Sequence, residues 1–168
     1  QFEIKNYTWK SETSGYYWGG GVVVEDKIYF AGDNGILYVH HLTQDIVYDS
    51  YNLGGKVRSV PVYDPVSGRL MVATVDGHTL YAFELNEDGS LNRETIVKTD
   101  EFTGTTGGFS VYNGRVYLPS GGMLGSGPLV VLELDDKAEK FTKAYEIPQI
   151  KTQSLPLITT AYATAENG

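Results

Sequence analysis

Flat aromatic side chains beside glycine can stack on a sugar ring or anchor in a partner's pocket. Tyr16-Tyr17-Trp18, followed by Gly19-Gly20-Gly21, is the best cluster of that kind in the chain. The competing reading is packing between sheets, and the usual weight of aromatic burial in cores favours it. A second candidate is Ser126, within the glycine-rich stretch Gly121-Gly122-Met123-Leu124-Gly125-Ser126-Gly127. That stretch lacks the Lys-Ser/Thr of a phosphate loop and the strand-loop-helix order of a dinucleotide site. No Gly-x-Ser-x-Gly elbow surrounds Ser126, so it has no claim as a nucleophile. It reads as a rim loop that can contact a ligand.

Carboxylates and imidazoles come next. Asp33-Asn34-Gly35 and Asp76-Gly77 invite a calcium reading, but Asp and Asn that bond their own backbone before a Gly also make hairpin turns, and turns are expected. Glu84-Leu85-Asn86-Glu87-Asp88-Gly89 imitates the first half of an EF-hand loop, yet its twelfth place is Thr95 rather than a bidentate Glu. A solvated acidic hairpin is expected there. His40 and His41 are neighbours whose side chains would leave a strand on opposite faces, so a metal would need one of them to meet His78 across the repeat. The plainer expectation is packed or surface histidine. Asn6-Tyr7-Thr8 is a glycosylation sequon, which matters only in a eukaryotic source. These readings give no metal site, no catalytic residue and no cofactor.

Composition narrows the partners. The 168 residues carry 21 acidic and 13 basic side chains, a net charge of -8. Nucleic-acid binding needs a basic face that releases phosphate counterions, and anionic lipid asks for the same sign. Both are disfavoured. Having no Cys, the chain has no disulfide, zinc-thiolate site or thiol nucleophile. No apolar run approaches the roughly 18 residues of a membrane span, so no membrane insertion is expected.

The elements that would position these residues are strands. Helical periodicity is almost absent; the best stretch, residues 135–143, mixes acid and base without an apolar stripe. Short alternating runs separated by Gly, Asn and Asp fill the rest, which makes the fold all-β. A repeat organises them. Lys27-Ile28-Tyr29-Phe30-Ala31 leads through a glycine turn to Ile36-Leu37-Tyr38-Val39. Arg69-Leu70-Met71-Val72-Ala73 leads likewise to Leu80-Tyr81-Ala82-Phe83, and Arg115-Val116-Tyr117-Leu118 to Leu129-Val130-Val131-Leu132. Ile28 and Leu70 are 42 positions apart, and Leu70 and Val116 are 46 apart, the spacing of four-stranded propeller blades. A short run precedes each copy through a turn, and Asn113-Gly114 in the third is a strong type I′ hairpin signal. Outer strands are expected at 46–51, 92–98 and 140–147.

The expected architecture is a partial β-propeller of three complete four-stranded antiparallel blades, about 20–53, 58–100 and 107–148, with stubs of two flanking blades at 1–10 and 153–168. Ser154-Leu155-Pro156-Leu157 repeats the pattern of Ser59-Val60-Pro61-Val62. Three blades and two stubs do not close a ring. The expectation is therefore a fragment, or a protomer completed by another chain through its open blade edges. Val22-Val23-Val24 and Leu129-Val130-Val131-Leu132 are expected to lie buried between neighbours.

The unit of a strand, Asp-Gly or Asn-Gly and then Leu-Tyr-Ala-Phe-Glu-Leu resembles the quinoprotein-type (PQQ-like) β-propeller repeat. Residues 68–83 match it best, and the resemblance covers about residues 16–168. Enzymes of that family hold a quinone and calcium in an eight-bladed ring, with the quinone stacked on a tryptophan and a vicinal disulfide. This chain has no Cys, and its two Trp (Trp9, Trp18) lie near the start, so no cofactor residue carries over and the resemblance implies the cofactor-free branch. The function expected is a non-catalytic scaffold or binding module of a secreted or cell-surface protein, contacting protein or glycan through Tyr16, Tyr17, Trp18 and Ser126. Two alternatives stand beside it: a piece of a quinoprotein dehydrogenase whose cofactor lies in other blades, and a structural assembly subunit.

Overall fold

The computed structural model describes residues 17–44, 46–121, 127–135, 137, 139–150 and 152–159. The stub at 1–10, the sequon, Tyr16, Ser126 and the last residues from 160 lie outside them. Every regular element described is a strand, including residues 140–143 of the stretch with helical promise.

Three four-stranded antiparallel meanders follow one another. The first contains β1 (Val22–Val24), β2 (Lys27–Ala31), β3 (Ile36–His41) and β4 (Val47–Asn52). The second contains β5 (Val62–Asp64), β6 (Arg69–Ala73), β7 (Leu80–Glu84) and β8 (Val97–Thr99). The third contains β9 (Ser110–Tyr112), β10 (Arg115–Pro119), β11 (Leu129–Asp135) and β12 (Lys140–Ile147). Local chemistry sets the hairpins. Asn113 and Gly114 both take positive φ, 49° and 72°, as a type I′ turn requires. In the longer turn of the second blade the Asp64 carboxylate accepts the Val66 and Ser67 N–H groups and the Ser67 hydroxyl.

The second blade is the filling of a sandwich. Its strand residues alternate with period two: Leu70, Val72, Tyr81 and Phe83 pack on the first blade, while Met71, Ala73, Leu80 and Ala82 pack on the third. A sheet covered on both faces reads as a continuous apolar run, which is why Leu70-Met71-Val72-Ala73 shows no polar gap.

Three expectations are corrected. Val23 is 52% exposed and its neighbours are half-buried, because β1 is a three-residue strand at the inner end of its sheet and, among the described residues, pairs with β2 alone. Of the Leu129-Val130-Val131-Leu132 run, Leu129 is only half-buried. The outer strand expected from residue 92 begins at Val97. Residues 85–93 instead form a strap: Leu85 bridges Leu91, and Asn86, Asp88 and Ser90 satisfy one another. The strap reaches back to the first blade, where Tyr29 Oη donates to the Gly89 carbonyl at 2.7 Å and Tyr48 Oη to Asp88 at 3.1 Å.

The β2–β3 and β6–β7 turns share one end of the molecule, the upper end, with the linkers joining successive blades. Leu53 and Val57 N–H donate to the Gly35 and Gly32 carbonyls, and Thr105 N–H to that of Thr74.

Candidate functional site

The upper end is where the aromatic candidate stands. By register with β1 and β5, Trp18 lies four residues before Val22 and Arg58 four before Val62, so the two occupy equivalent places in successive blades. Gly19 makes the approach possible: a Cβ there would lie 2.7 Å from the Ser59 carbonyl oxygen. The Arg58 guanidinium therefore sits over the indole of Trp18, 5.0 Å from its centroid. Asp33 ties both together. It accepts Arg58 Nε and Nη2 at 3.1 and 2.9 Å and the Trp18 indole N–H at 3.2 Å. Trp18 is nonetheless 64% exposed. It is an indole held in orientation by Arg58 and Asp33 yet largely exposed, rather than the core wedge that the sequence favoured. Beside it Tyr17 meets Phe30 edge-on at 5.6 Å, and Phe30 stacks on Tyr38.

The platform runs into an apolar groove of about 450 Å³ lined by Val60, Val62, Phe109, Val111 and Leu155, with Gly107 and Gly108 in its wall. A Cβ added at Gly20 would meet Val60 at 3.7 Å, so this glycine lies where platform and groove join. Ser110 Oγ donates to the Pro156 carbonyl, which holds the Leu155 segment in place. Val60 and Leu155 are exposed, at 43% and 60%. A second cavity, about 510 Å³ around Asn113, Glu133, Lys137 and Thr142, has no aromatic side chain, and its Glu133 already pairs with Arg115 at 2.7 Å.

The remaining candidates separate in space. In the Asp33-Asn34-Gly35 turn, Asn34 Oδ1 accepts the Ile36 N–H and Gly35 supplies a φ of 72°, which leaves the Asp33 carboxylate free to reach Arg58. Asp76 takes the Lys56 N–H at 2.6 Å. Both carboxylates thus tie a turn to a linker. In the Glu84 hairpin, Glu84 holds buried Arg69 and the Thr95 hydroxyl. His40 is buried, and His41 bonds Asp26 at 3.1 Å at the end opposite the exposed turn of His78. Thr43, His41 and Asp26 lie in a row that suggests a hydrolytic relay. The single lone pair of His41 Nδ1, however, already faces the Thr43 backbone N–H at 3.2 Å, so it is not free to activate the hydroxyl. Among the described residues no three of His, Asp or Glu converge as a metal would require.

The Arg58 guanidinium holds the Asp33 carboxyl below the usual carboxylate range against the opposing effect of burial, and the Trp18 N–H adds to it. A lowered folded pKa means that the tie stabilises fully above the ordinary carboxylate range and is lost as pH falls through the lowered value. Trp9→Phe leaves Trp18 as the sole indole. In that background Trp18 emission is expected to change across this acid window while far-ultraviolet circular dichroism stays constant. Adding Asp33→Asn is expected to abolish the transition; its persistence would mean that another group reports.

Sequence reasoning reached Trp18 but missed its partners Asp33 and Arg58. Arg58 was within reach, because aligning the two linkers on β1 and β5 puts it opposite Trp18. Nothing in the sequence separated Asp33 from an ordinary turn aspartate.

No protein-family model matches the chain, and no curated protein matches it. Among solved structures it is similar to the quinohemoprotein alcohol dehydrogenase ADHIIG from Pseudomonas putida HK5. The TM-score is 0.61 at 17% identity, over 83% of this chain and 22% of that one. It is also similar to BamB from Moraxella catarrhalis, with a TM-score of 0.58 at 12% identity, over 83% of this chain and 38% of that one. The chain thus spans well under half the length of either. The likeness is one of fold, and the fold is a partial β-propeller. The described residues do not fit a quinone–calcium group: the chain has no Cys for a vicinal disulfide, Trp18 has one face covered by Arg58, and among the described residues no carboxylate cluster suits a calcium ion.

Proposed function

We propose that the chain is a non-catalytic propeller module that binds a protein partner on its upper end, with Trp18 and Arg58 as anchors and the Val60–Phe109–Leu155 groove receiving an apolar side chain. The exposed, pre-oriented indole carries this reading. Tryptophan and arginine dominate interface energetics, and an indole already locked by two neighbours loses little freedom on binding. A protein is favoured over a glycan because Asp33 and most of the Arg58 fork are committed to each other. Few polar groups beside the ring are then left for sugar hydroxyls, whereas the adjoining surface is apolar. We extend the reading to a secreted or cell-surface location, with which the acidic, cysteine-free composition is compatible. No helix among the described residues is long and apolar enough to cross a membrane.

The test is selection of peptides from a random display library on the purified chain, with plain oligosaccharides run in parallel. Peptides that bind are expected to lose roughly 30-fold in affinity on Trp18→Ala, an anchor of about 2 kcal/mol, while the fold is unchanged. Peptide binding indifferent to Trp18, or Trp18-dependent binding of the oligosaccharides alone, would overturn the reading. The dehydrogenase alternative draws support from the quinoprotein-type repeat and from the name of one structural neighbour. A quinone-dependent absorbance change in the parent protein would support it.

A further inference from the structure

The outer strands of the three blades are protected against edge pairing in different ways. An edge strand presents unpaired N–H and C=O groups to any extended chain, and proteins blunt it by shortness or by charged side chains. β8 is three residues long and leads into Asp100-Glu101. β12 is long but carries exposed Lys140, Lys143 and Glu146. β4 has neither defence: it is six residues, Val47-Tyr48-Asp49-Ser50-Tyr51-Asn52, whose one charged side chain, Asp49, is largely covered. Ile46, Val47 and Tyr48 are exposed at 50%, 43% and 42%.

Register shows which backbone groups of β4 face outward. Leu53 N–H donates to the Gly35 carbonyl, so in an antiparallel ladder Leu37–Tyr51 and Val39–Asp49 are the hydrogen-bonded pairs. Tyr38–Ser50 is then a pair whose polar groups point away from each other, and those of Ser50 face the open edge. At the other end His41 N–H bonds the Ile46 carbonyl, which turns the backbone of Val47 outward in the same way. Both outward groups of Ser50 are occupied from within the chain. Its N–H donates to Asp49 Oδ1 at 2.8 Å, and its carbonyl accepts Arg93 Nη2 at 2.9 Å. Arg93 belongs to the strap of the second blade, and its Nη1 also holds Asp49 Oδ2 at 3.2 Å.

We infer that Arg93 is the guard of this edge, lent by the neighbouring blade, and that β4 without it pairs antiparallel with β4 of a second copy of the chain. Two copies fit because β4 opposed to itself across a two-fold axis sets the outward backbone groups of Val47 in each copy opposite those of Ser50 in the other. This site lies apart from the upper-end platform and does not depend on the function proposed for it.

The test compares self-association of the parent chain, Arg93→Ala and Arg93→Ala/Val47→Lys by sedimentation over a wide concentration range. Arg93→Ala is expected to associate at least roughly tenfold more tightly than the parent, and Val47→Lys, which plants a charge on the bare edge, to restore the parent's behaviour. Should Arg93→Ala not fold by circular dichroism, Arg93→Gln carries the same comparison. An Arg93 variant that associates no more than the parent, or an association indifferent to Val47→Lys, would overturn the inference.

Discussion

Phe83→Ala is expected to destabilise the chain by about 3–5 kcal/mol, the range for truncating a fully buried aromatic side chain. Phe83 has no exposed surface. It meets Tyr51 of the first blade edge-on at 5.1 Å and lies parallel to Tyr81 at 5.9 Å. Tyr81 in turn donates to the Leu53 carbonyl at 2.7 Å within the core. The cavity would open where the first two blades meet, and a rigid strand on each side limits how far it can collapse. Denaturant unfolding of the two proteins measures the difference. Trp18→Ala in the same assay is expected to cost under about 1 kcal/mol, since the side chain is 64% exposed and its cation–π contact and hydrogen bond lie at the surface. Equal losses from the two substitutions would contradict the assignment of Phe83 to the core and of Trp18 to the surface.

Gly104→Ala is expected to be as damaging as a large core truncation, for a different reason. Gly104 has a φ of 81°, and a Cβ there would lie 1.9 Å from the Val75 carbonyl oxygen. That oxygen belongs to the turn of the second blade, while the carbonyl of Gly104 itself accepts the N–H of Gly121 in the third. The linker is therefore gripped on two sides and has no direction in which to yield. Left-handed backbone at a residue bearing a Cβ costs about 1–2 kcal/mol, and forced overpacking about 1–3 more, so a total of about 2–5 kcal/mol is expected from thermal or denaturant unfolding. By contrast, Gly54 has a φ of 74° with open space around its missing Cβ. Gly54→Ala should therefore show the backbone cost alone. If Gly104→Ala matched Gly54→Ala, the contact with Val75 would not be the constraint described.

The blades were legible because each has a local signature. The 42- and 46-residue spacings, the Asn113-Gly114 turn and the unbroken Leu70-Met71-Val72-Ala73 run are written in adjacent residues and follow from strand period and turn chemistry. What escaped reading depends on contacts between blades. Val22-Val23-Val24 is as apolar as any buried strand, and only its place at the inner edge of its sheet exposes Val23. The acidic hairpin after Glu84 carries its own turn signals, but its role as a strap on the first blade rests on Tyr29 and Tyr48, about 40 to 60 positions earlier. Trp18 was singled out by type and then assigned to packing. Its outward placement follows from Arg58 and Asp33, which are brought beneath it by the step from one blade to the next.

The central claim is that the upper end around Trp18 is the working surface. Hydrogen–deuterium exchange of the chain, alone and saturated with a selected peptide, tests it most directly. Binding is predicted to slow exchange at residues 18–20, 58–60 and 107–109, which together border the platform and the groove. Protection confined to the β4 edge, or to the opposite end around Asn113 and Lys137, would contradict it.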